Sequence, residues 1–248
     1  MRKFGLVGYP LGHSFSKEYF TKKFESEHIT DCLYTNYPLD DIKKIKRIIA
    51  ENPDLVGLNV TIPYKQQVLN LLDDIEKEAS EIGAVNTIKI QHNKNKFHLT
   101  GFNTDSYGFE KPLVEKLKPE HTSALILGTG GASKAIAYIL RKHGIVFRYV
   151  SRNPVSTNVY SYEDLTHSII QSNKLIINTT PVGMHPHADM APALPYDAIG
   201  SGHLLYDLIY NPEKTVFLTR GEQQNASTIN GLSMLYIQAE KSWELWNS

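Results

Sequence analysis

The run Ala124-Leu125-Ile126-Leu127, continued directly by Gly128-Thr129-Gly130-Gly131-Ala132-Ser133, restricts this chain more than any other stretch. An apolar segment of strand character enters a glycine turn, and a helical pattern with Ile136, Ile139 and Leu140 follows, ending near Gly144. Strand, glycine turn and helix in that order are the context a phosphate-binding site needs. Gly128 permits the turn. Gly130 and Gly131 let backbone N–H groups approach a pyrophosphate at the N-terminus of the helix. Ser133 stands where a third Gly or Ala is usual, so the generic pattern is imperfect. The stretch predicts an α/β, Rossmann-like unit.

The next strand is Val146-Phe147-Arg148-Tyr149-Val150, with Ser151-Arg152-Asn153 at its end. A site for NAD carries an acidic residue about 20 positions beyond the first glycine. Ser151 lies 23 positions beyond Gly128, and Arg152 in place of a carboxylate favours the 2′-phosphate of NADP. Further strands are expected at residues 175–180, ended by Pro181, and at residues 204–210. Val182-Gly183-Met184 should lie beside the cofactor. Residues 185–195 read as a loop; His185 and His187 have metal-ligand spacing, but nothing nearby completes a ligand set, so no metal is expected.

The first half centres on Asn59-Val60-Thr61-Ile62-Pro63-Tyr64-Lys65, which follows the strand-like Leu55-Val56-Gly57-Leu58. Pro63 has no N–H and should end the strand, which places Lys65 at the start of a helix beyond the strand's carboxyl end. Ligands of open α/β sheets bind there, and a Lys held by a rigid turn is a credible proton donor. Phe4 to Gly8 form an earlier strand, and Ser14 and Ser16 precede a helix with Phe15, Tyr19, Phe20 and Phe24 on one side. A Ser in that place is ordinarily an N-cap; two hydroxyls at a helix N-terminus also suit a carboxylate. Leu33 to Tyr37 form another strand, and Asp40-Asp41 cap a helix whose basic run, Lys43 to Arg47, is a solvated face. Val68 to Leu72 continue one helix and Asp74 to Ile82 another. Gly83-Ala84-Val85-Asn86-Thr87 begin a strand that returns through a polar hairpin at residues 92–96. Asn86, inside this apolar stretch, needs partners that a hydroxyl-rich ligand could supply. Asp105 opens a helix, with Pro112 either breaking it or starting a second. A last helix, about Leu232 to Trp246, turns Leu235, Ala239, Trp243 and Trp246 to a core, with Gln238 one step off that stripe.

Lys plus Arg number 26 and Asp plus Glu number 26, which gives no general electrostatic reason to expect nucleic acid or an anionic membrane. The single Cys32 cannot form an intrachain disulfide and fits a reducing compartment. The basic start lacks a signal-peptide core, and no apolar run approaches membrane-spanning length. A cytoplasmic location is expected.

Six motifs occur in order: residues 8–16, residues 59–65, Gly83 to Thr87, Gly101-Phe102-Asn103-Thr104-Asp105, the glycine turn, and Gly231-Leu232-Ser233-Met234-Leu235 with Gln238-Ala239. Together they resemble the shikimate dehydrogenase family over nearly the whole chain. The resemblance implies a two-domain α/β fold. Residues 1–102, completed by the terminal helix at 231–248, would bind substrate; residues 103–230 would form the dinucleotide-binding domain, with the cleft between them. It implies reversible NADPH-dependent reduction of 3-dehydroshikimate to shikimate, in the route to chorismate and aromatic amino acids. Lys65 would be general acid and base, with Asp105 orienting its ammonium group. Ser14, Ser16 and Tyr210 would hold the carboxylate, and Thr61, Asn86, Asp105 and Gln238 the rest of the substrate. Gly128, Thr129, Gly130, Gly131, Ala132, Ser151, Arg152, Asn153, Leu208 and Gly231 would line the cofactor. Small-molecule substrate is the expected partner, in a monomer or homodimer. An NAD-dependent quinate/shikimate dehydrogenase and a non-catalytic quinate- or dinucleotide-sensing module are the alternatives. The chain departs from the family at Lys17, where Pro is usual, and at Phe20-Thr21, where His-Asn is usual. It also carries one basic residue after the 146–150 strand where the family has two.

Overall fold

The structure, a computed structural model, describes residues 1–11, 14–93, 96–154, 156 and 159–248. It divides into two compact units, Met1–Thr104 with Ala239–Ser248, and Asp105–Gln238.

The first unit contains β1 (Arg2–Gly8), α1 (Phe15–Ser26), β2 (Cys32–Pro38), α2 (Ile45–Glu51), β3 (Leu55–Val60), β4 (Asp74–Ile75), α3 (Lys77–Ile82), β5 (Thr87–Asn93) and β6 (Lys96–Phe102). Its sheet runs β2-β1-β3-β5-β6-β4. β1 pairs parallel with β2 and β3, while β5 is antiparallel to both β3 and β6. One apolar cluster joins Leu55, Leu58 and Ile88 to Ile45 and Ile49 of α2. Another packs Phe4, Phe20, Phe24 and Tyr34 with Trp246. Two members of the basic run before and within α2 pair with carboxylates four residues away, Lys44 with Asp40 and Arg47 with Glu51.

The second unit opens with α4 (Thr104–Lys116), whose first residue belongs to the first unit, and continues through β7 (Ser123–Leu127), α5 (Gly131–Lys142), β8 (Val146–Val150), β9 (Val159–Tyr160), α6 (His167–Ser172), β10 (Leu175–Asn178), β11 (Leu204–Asp207), α7 (Val216–Gln223) and β12 (Ser227–Ile229). Every pairing in its sheet is parallel, in the order β12-β11-β10-β7-β8-β9. This is a doubly wound sheet whose chain order reverses between β7 and β10, the arrangement of dinucleotide-binding folds. The final helix, α8 (Leu232–Asn247), is shared by the two units. Among the described residues, no helix is long and apolar enough to cross a membrane.

Several local expectations are corrected. Residues 62–66 form a turn and residues 67–71 a 3-10 helix, so no α-helix starts at Lys65 or continues over Val68 to Leu72, and residues 74–75 are a strand. Glu76 then caps α3, its carboxylate accepting from Glu78 N at 2.8 Å. Gly83 ends α3 with φ 70°, so β5 begins only at Thr87 and Asn86 lies just before it. Pro112 sits inside α4 without ending it; Phe109 and Leu113, both fully buried, hold the helix on either side. In α8 the buried positions are Met234, Gln238, Ala239, Ser242 and Trp246, while Leu235 and Trp243 are only half-buried. The stripe is rotated to include both polar residues. The hairpin residues Lys94 and Asn95 lie outside the described residues.

Trp246 anchors the returning helix on the first sheet. Its Nε1 donates to the Ile88 carbonyl at 3.0 Å, and its ring occupies the space a Cβ at Gly57 would need, 2.5 Å away. Gly57→Ala should therefore cost about 1–3 kcal/mol, the usual penalty of overpacking. Urea denaturation followed by tryptophan fluorescence reads the loss, and an unchanged midpoint would contradict the close approach.

Candidate active site

In the first unit, the carboxyl ends of the parallel neighbours β1 and β3 carry the expected substrate residues. Two bonds extend the pairing past the strands: Thr61 N–H donates to the Val7 carbonyl at 2.9 Å, and Tyr9 N–H to that of Ile62 at 3.1 Å. Gly8 permits this, because a Cβ there would stand 2.5 Å from the Thr61 methyl. Thr61 is thereby fixed. Lys65 lies in the turn at residues 62–66, and its carbonyl accepts from Val85 N at 2.8 Å. Asn86 ties the same region from the other side, its carbonyl accepting from Val60 N at 2.8 Å and its backbone N–H donating to Phe102 O at 3.0 Å. Thr61, Lys65 and Asn86 are thus brought to one end of the sheet by backbone bonds between their segments.

Ser14 is the N-cap of α1, its hydroxyl accepting from Lys17 N at 3.2 Å. Ser16 lies in the first turn, and its hydroxyl contacts the phenol of Tyr34, a group whose ionisation is opposed by complete burial. The capping role and an anion site at this helix start are compatible.

Among the residues of the second unit, Asp105 is buried in the first turn of α4. One turn on, Gly108 brings the backbones of α4 and α8 together: a Cβ there would meet Met234 O at 2.6 Å and Gln238 Cβ at 3.1 Å. Asp105 and Gln238 therefore stand on adjoining helices. The Gln238 amide donates to Leu235 O at 3.1 Å. Gly231 donates to Ile209 O at 3.0 Å, and a Cβ there would lie 2.1 Å from Leu208 O. Its place is to hold the Leu208–Tyr210 segment by backbone contact.

The glycine turn lies at the reversal between β7 and β10. Gly128 has φ +103°, and a Cβ there would meet Thr179 Oγ1 at 2.8 Å, so both conformation and space require glycine. Gly130 is different. It is the extended N-cap of α5, and a Cβ there would meet nothing within 4 Å. The fold does not need glycine at that position, but a phosphate drawn close to the helix N-terminus does. Thr129 is exposed beside it, Gly131 and Ala132 form the first turn, and Ser133 turns inward to donate to Gly130 O at 2.7 Å. The departure from a third glycine is thus absorbed by a local bond. After β8, Ser151 Oγ accepts from Asn153 N at 3.2 Å, shaping the turn that exposes Arg152 near the Tyr162 phenol. These features fit a dinucleotide with a charged group on its ribose.

Sequence reasoning missed two buried polar clusters. One, in the first unit, joins Tyr34, Asn59, Thr87, Thr104 and Ser242 to Asn86. The other joins Asn178 to Asp207 and Thr215 at the ends of β10 and β11. Polar residues within apolar strands were the available signal for Asn59 and Asp207. The Asp207 carboxylate accepts from Thr215 Oγ1 at 2.6 Å, Asn178 Nδ2 at 3.0 Å and Ile209 N at 3.0 Å. Burial nevertheless outweighs these bonds and pushes its pKa up to about 6. Among the described residues, no group of three or more His, Cys, Asp or Glu is placed to hold a metal ion.

A doubly wound parallel sheet with a glycine turn at its reversal defines a Rossmann-like dinucleotide-binding unit, joined here to a separate α/β unit rich in hydroxyl and amide groups. Residues 6–88 match the model of the shikimate dehydrogenase substrate binding domain. A shikimate dehydrogenase (NADP(+)) of Desulforamulus reducens is 35% identical, the match covering 98% of this chain and 88% of that protein. The solved structure of shikimate dehydrogenase 1 from Peptoclostridium difficile is 37% identical with a TM-score of 0.84, covering 100% of this chain and 92% of that one. A solved shikimate 5-dehydrogenase from Thermus thermophilus, in complex with NADP(H) and shikimate, is 29% identical with a TM-score of 0.84, covering 99% and 93%. The chain belongs to the shikimate dehydrogenase family.

The raised pKa of Asp207 has a consequence for stability. The folded state holds this proton more tightly than the unfolded chain, whose carboxyl titrates near 3.8. Stability relative to Asp207→Asn should be greatest below pH 4 and fall as pH rises to about 6, by up to roughly 3 kcal/mol. Denaturant midpoints of both proteins across that range measure it. Parallel profiles would contradict a buried, titrating carboxylate.

Proposed function

We propose that this chain catalyses the reversible NADPH-dependent reduction of 3-dehydroshikimate to shikimate. The observation that carries the reading is the joining of Thr61, Lys65 and Asn86 at one sheet end, on backbone bonds, in a chain that also has the glycine cradle. Family membership agrees with it. Reduction adds a hydride to the carbonyl carbon and a proton to its oxygen. Bound NADPH would supply the hydride, while the protein supplies geometry and the proton.

Lys65 donates that proton in reduction and removes it in oxidation. Asp105 orients the ammonium group. Ser14, Ser16 and Tyr210 hold the substrate carboxylate, and Thr61, Asn86 and Gln238 hold the ring. The first unit, with the end of α8, is the substrate-binding domain and the second the dinucleotide-binding domain. The turn around Gly128 to Ala132 receives the pyrophosphate, Ser151, Arg152 and Asn153 the ribose phosphate, and the segment of Leu208 held by Gly231 adjoins the nicotinamide. We place the enzyme in the cytoplasm, acting on a small molecule as a monomer or homodimer.

The direct assay follows NADP(+) and NAD(+) reduction with shikimate and with quinate. Shikimate with NADP(+) should give the highest kcat/KM, and preference for quinate with NAD(+) would overturn the reading. Lys65→Ala should lower turnover by about 10²- to 10⁴-fold, the usual worth of a positioned acid–base group, with NADP affinity little changed. Near-full turnover in both directions would remove Lys65 as proton donor.

Arg152 supplies one charge-assisted contact to the 2′-phosphate, worth about 1.5–3 kcal/mol, or roughly 10- to 150-fold in preference. Arg152→Ala should weaken NADP by most of that margin and leave NAD nearly unchanged. The ratio of kcat/KM for the two cofactors measures it; equal losses would mean that Arg152 stacks on the shared adenine.

A further inference from the structure

The parallel strands β10 and β11 end side by side on Asn178 and Asp207, which are partners in the sheet register and fully buried. Each side chain closes a turn over the residues that follow it. Asn178 Oδ1 accepts from Thr180 N at 3.1 Å and from Thr180 Oγ1 at 2.6 Å, and Asn178 Nδ2 donates to Val182 O at 3.3 Å. Asp207 Oδ1 accepts from Ile209 N at 3.0 Å. The two turns are then bonded to each other, Asn178 Nδ2 donating to that same Asp207 oxygen at 3.0 Å.

A backbone N–H can only donate and a backbone carbonyl only accept, so Thr180 N and Val182 O fix which way the Asn178 amide faces. One Nδ2 hydrogen goes to the loop after β10 and the other to the carboxylate at the end of β11. From the far side, Thr215 Oγ1 at the N-cap of α7 donates to Asp207 Oδ2 at 2.6 Å. The segment after β11 is held by backbone as well, Leu208 N–H donating to Asn178 O and Gly231 N–H to Ile209 O, each at 3.0 Å. Asp207 Oδ1 thus joins the two loops that leave the sheet at this end, residues 179–184 and 208–210. Removing that oxygen would leave Asn178 Nδ2 and Ile209 N short of an acceptor in a buried place, and the loops would have to move to satisfy them.

We propose that Asp207 is a positioning residue for the nicotinamide half of the cofactor, its Oδ1 setting the spacing between the loop after β10 and the Leu208–Tyr210 segment. The inference rests on the reading of that segment as the neighbour of the nicotinamide. The sheet order separates the two halves of the cofactor site. The glycine turn after β7 and Arg152 after β8 lie on one side of the reversal, and the ends of β10 and β11 lie on the other. A shift of the second pair of loops moves the ring and leaves the phosphorylated ribose where it is. Hydride transfer is sensitive to such a shift, a displacement of about 1 Å costing on the order of 10²-fold.

Asp207→Ala and Asp207→Asn test this in the full chain at about pH 8, where the wild-type carboxylate, with its pKa pushed up to about 6, is ionised. Asp207→Ala should lower kcat for shikimate oxidation by NADP(+) about 10- to 100-fold. Its Kd for adenosine 2′,5′-bisphosphate, which has the phosphorylated ribose and no nicotinamide, should stay within about twofold, and the binding stoichiometry gives the folded fraction. Asp207→Asn keeps an oxygen in the place of Oδ1 and should retain kcat within about threefold. Should Asp207→Ala fail to fold, Asn178→Ser keeps an oxygen for Thr180 N but has no nitrogen to reach Asp207. It should lower kcat about 3- to 10-fold, the worth of one buried hydrogen bond, with the same unmoved Kd. A lowered Tm with kcat per folded molecule unchanged would reduce Asp207 to a packing residue and overturn the proposal. Equal losses in Asp207→Asn and Asp207→Ala would also overturn it, because the charge and not Oδ1 would then carry the effect. Wild-type protein that does not oxidise shikimate with NADP(+) would instead remove the reading beneath it, a separate and recognisable failure.

Discussion

The hydrogen bond from the Thr104 backbone N–H to Asn86 Oδ1 is the constraint on which most of the first unit's site depends. It satisfies a donor that the start of α4 would otherwise leave unpaired. It also fixes a side chain that sits just before β5, between the segments of β3 and β6. The bond persists because its surroundings are closed. Threonine and serine hydroxyls from β5, α4 and α8 fill the space around it, and each finds a partner. An apolar core of the same shape would pack well but would leave the amide free to turn.

Close backbone approach plays the corresponding part in the second unit. Gly128 lets the turn after β7 pass against Thr179, Gly108 lets α4 meet α8, and Gly231 lets the start of α8 rest on Leu208. Each contact lies beside a residue assigned to substrate or cofactor. Gly130 differs because no protein atom requires it. Glycines of the first kind shape the site, and the open one leaves room for what enters it. Asp207 adds a polar tie between β10 and β11 at the cost of burying a carboxylate, which the three bonds it accepts only partly offset.

What could be read from the sequence was set by how local the cause is. Pro63 and Gly128 act on their own backbone and immediate neighbours, so the ends of β3 and β7 and the start of α5 were legible. Gly83 acts locally too, but the apolar run after it masked the left-handed stop that moves Asn86 out of the strand. Residues 213–230 went unread although Thr215 before Val216-Phe217-Leu218 is a helix start; its hydroxyl is claimed in the fold by both the cap and Asp207. Ser242 was not legible by any local rule. Its partners Asn59, Thr87 and Thr104 are far away in sequence, and hydropathy assigns a serine between Lys241 and Trp243 to solvent. The same blindness placed Gln238 off the buried stripe of α8.

The account's central claim is that the sheet end carrying Thr61, Lys65 and Asn86 receives the ring of shikimate, with its carboxylate at the start of α1. A crystal structure of the chain with shikimate bound tests it most directly. The account predicts ring hydroxyl oxygens within about 3.2 Å of Lys65 Nζ and of the Asn86 side chain, and the carboxylate against the hydroxyls of Ser14 and Ser16. Shikimate bound with its carboxylate on Lys65, or in the charged cleft lined by Lys116, Lys214 and Thr228, would contradict it.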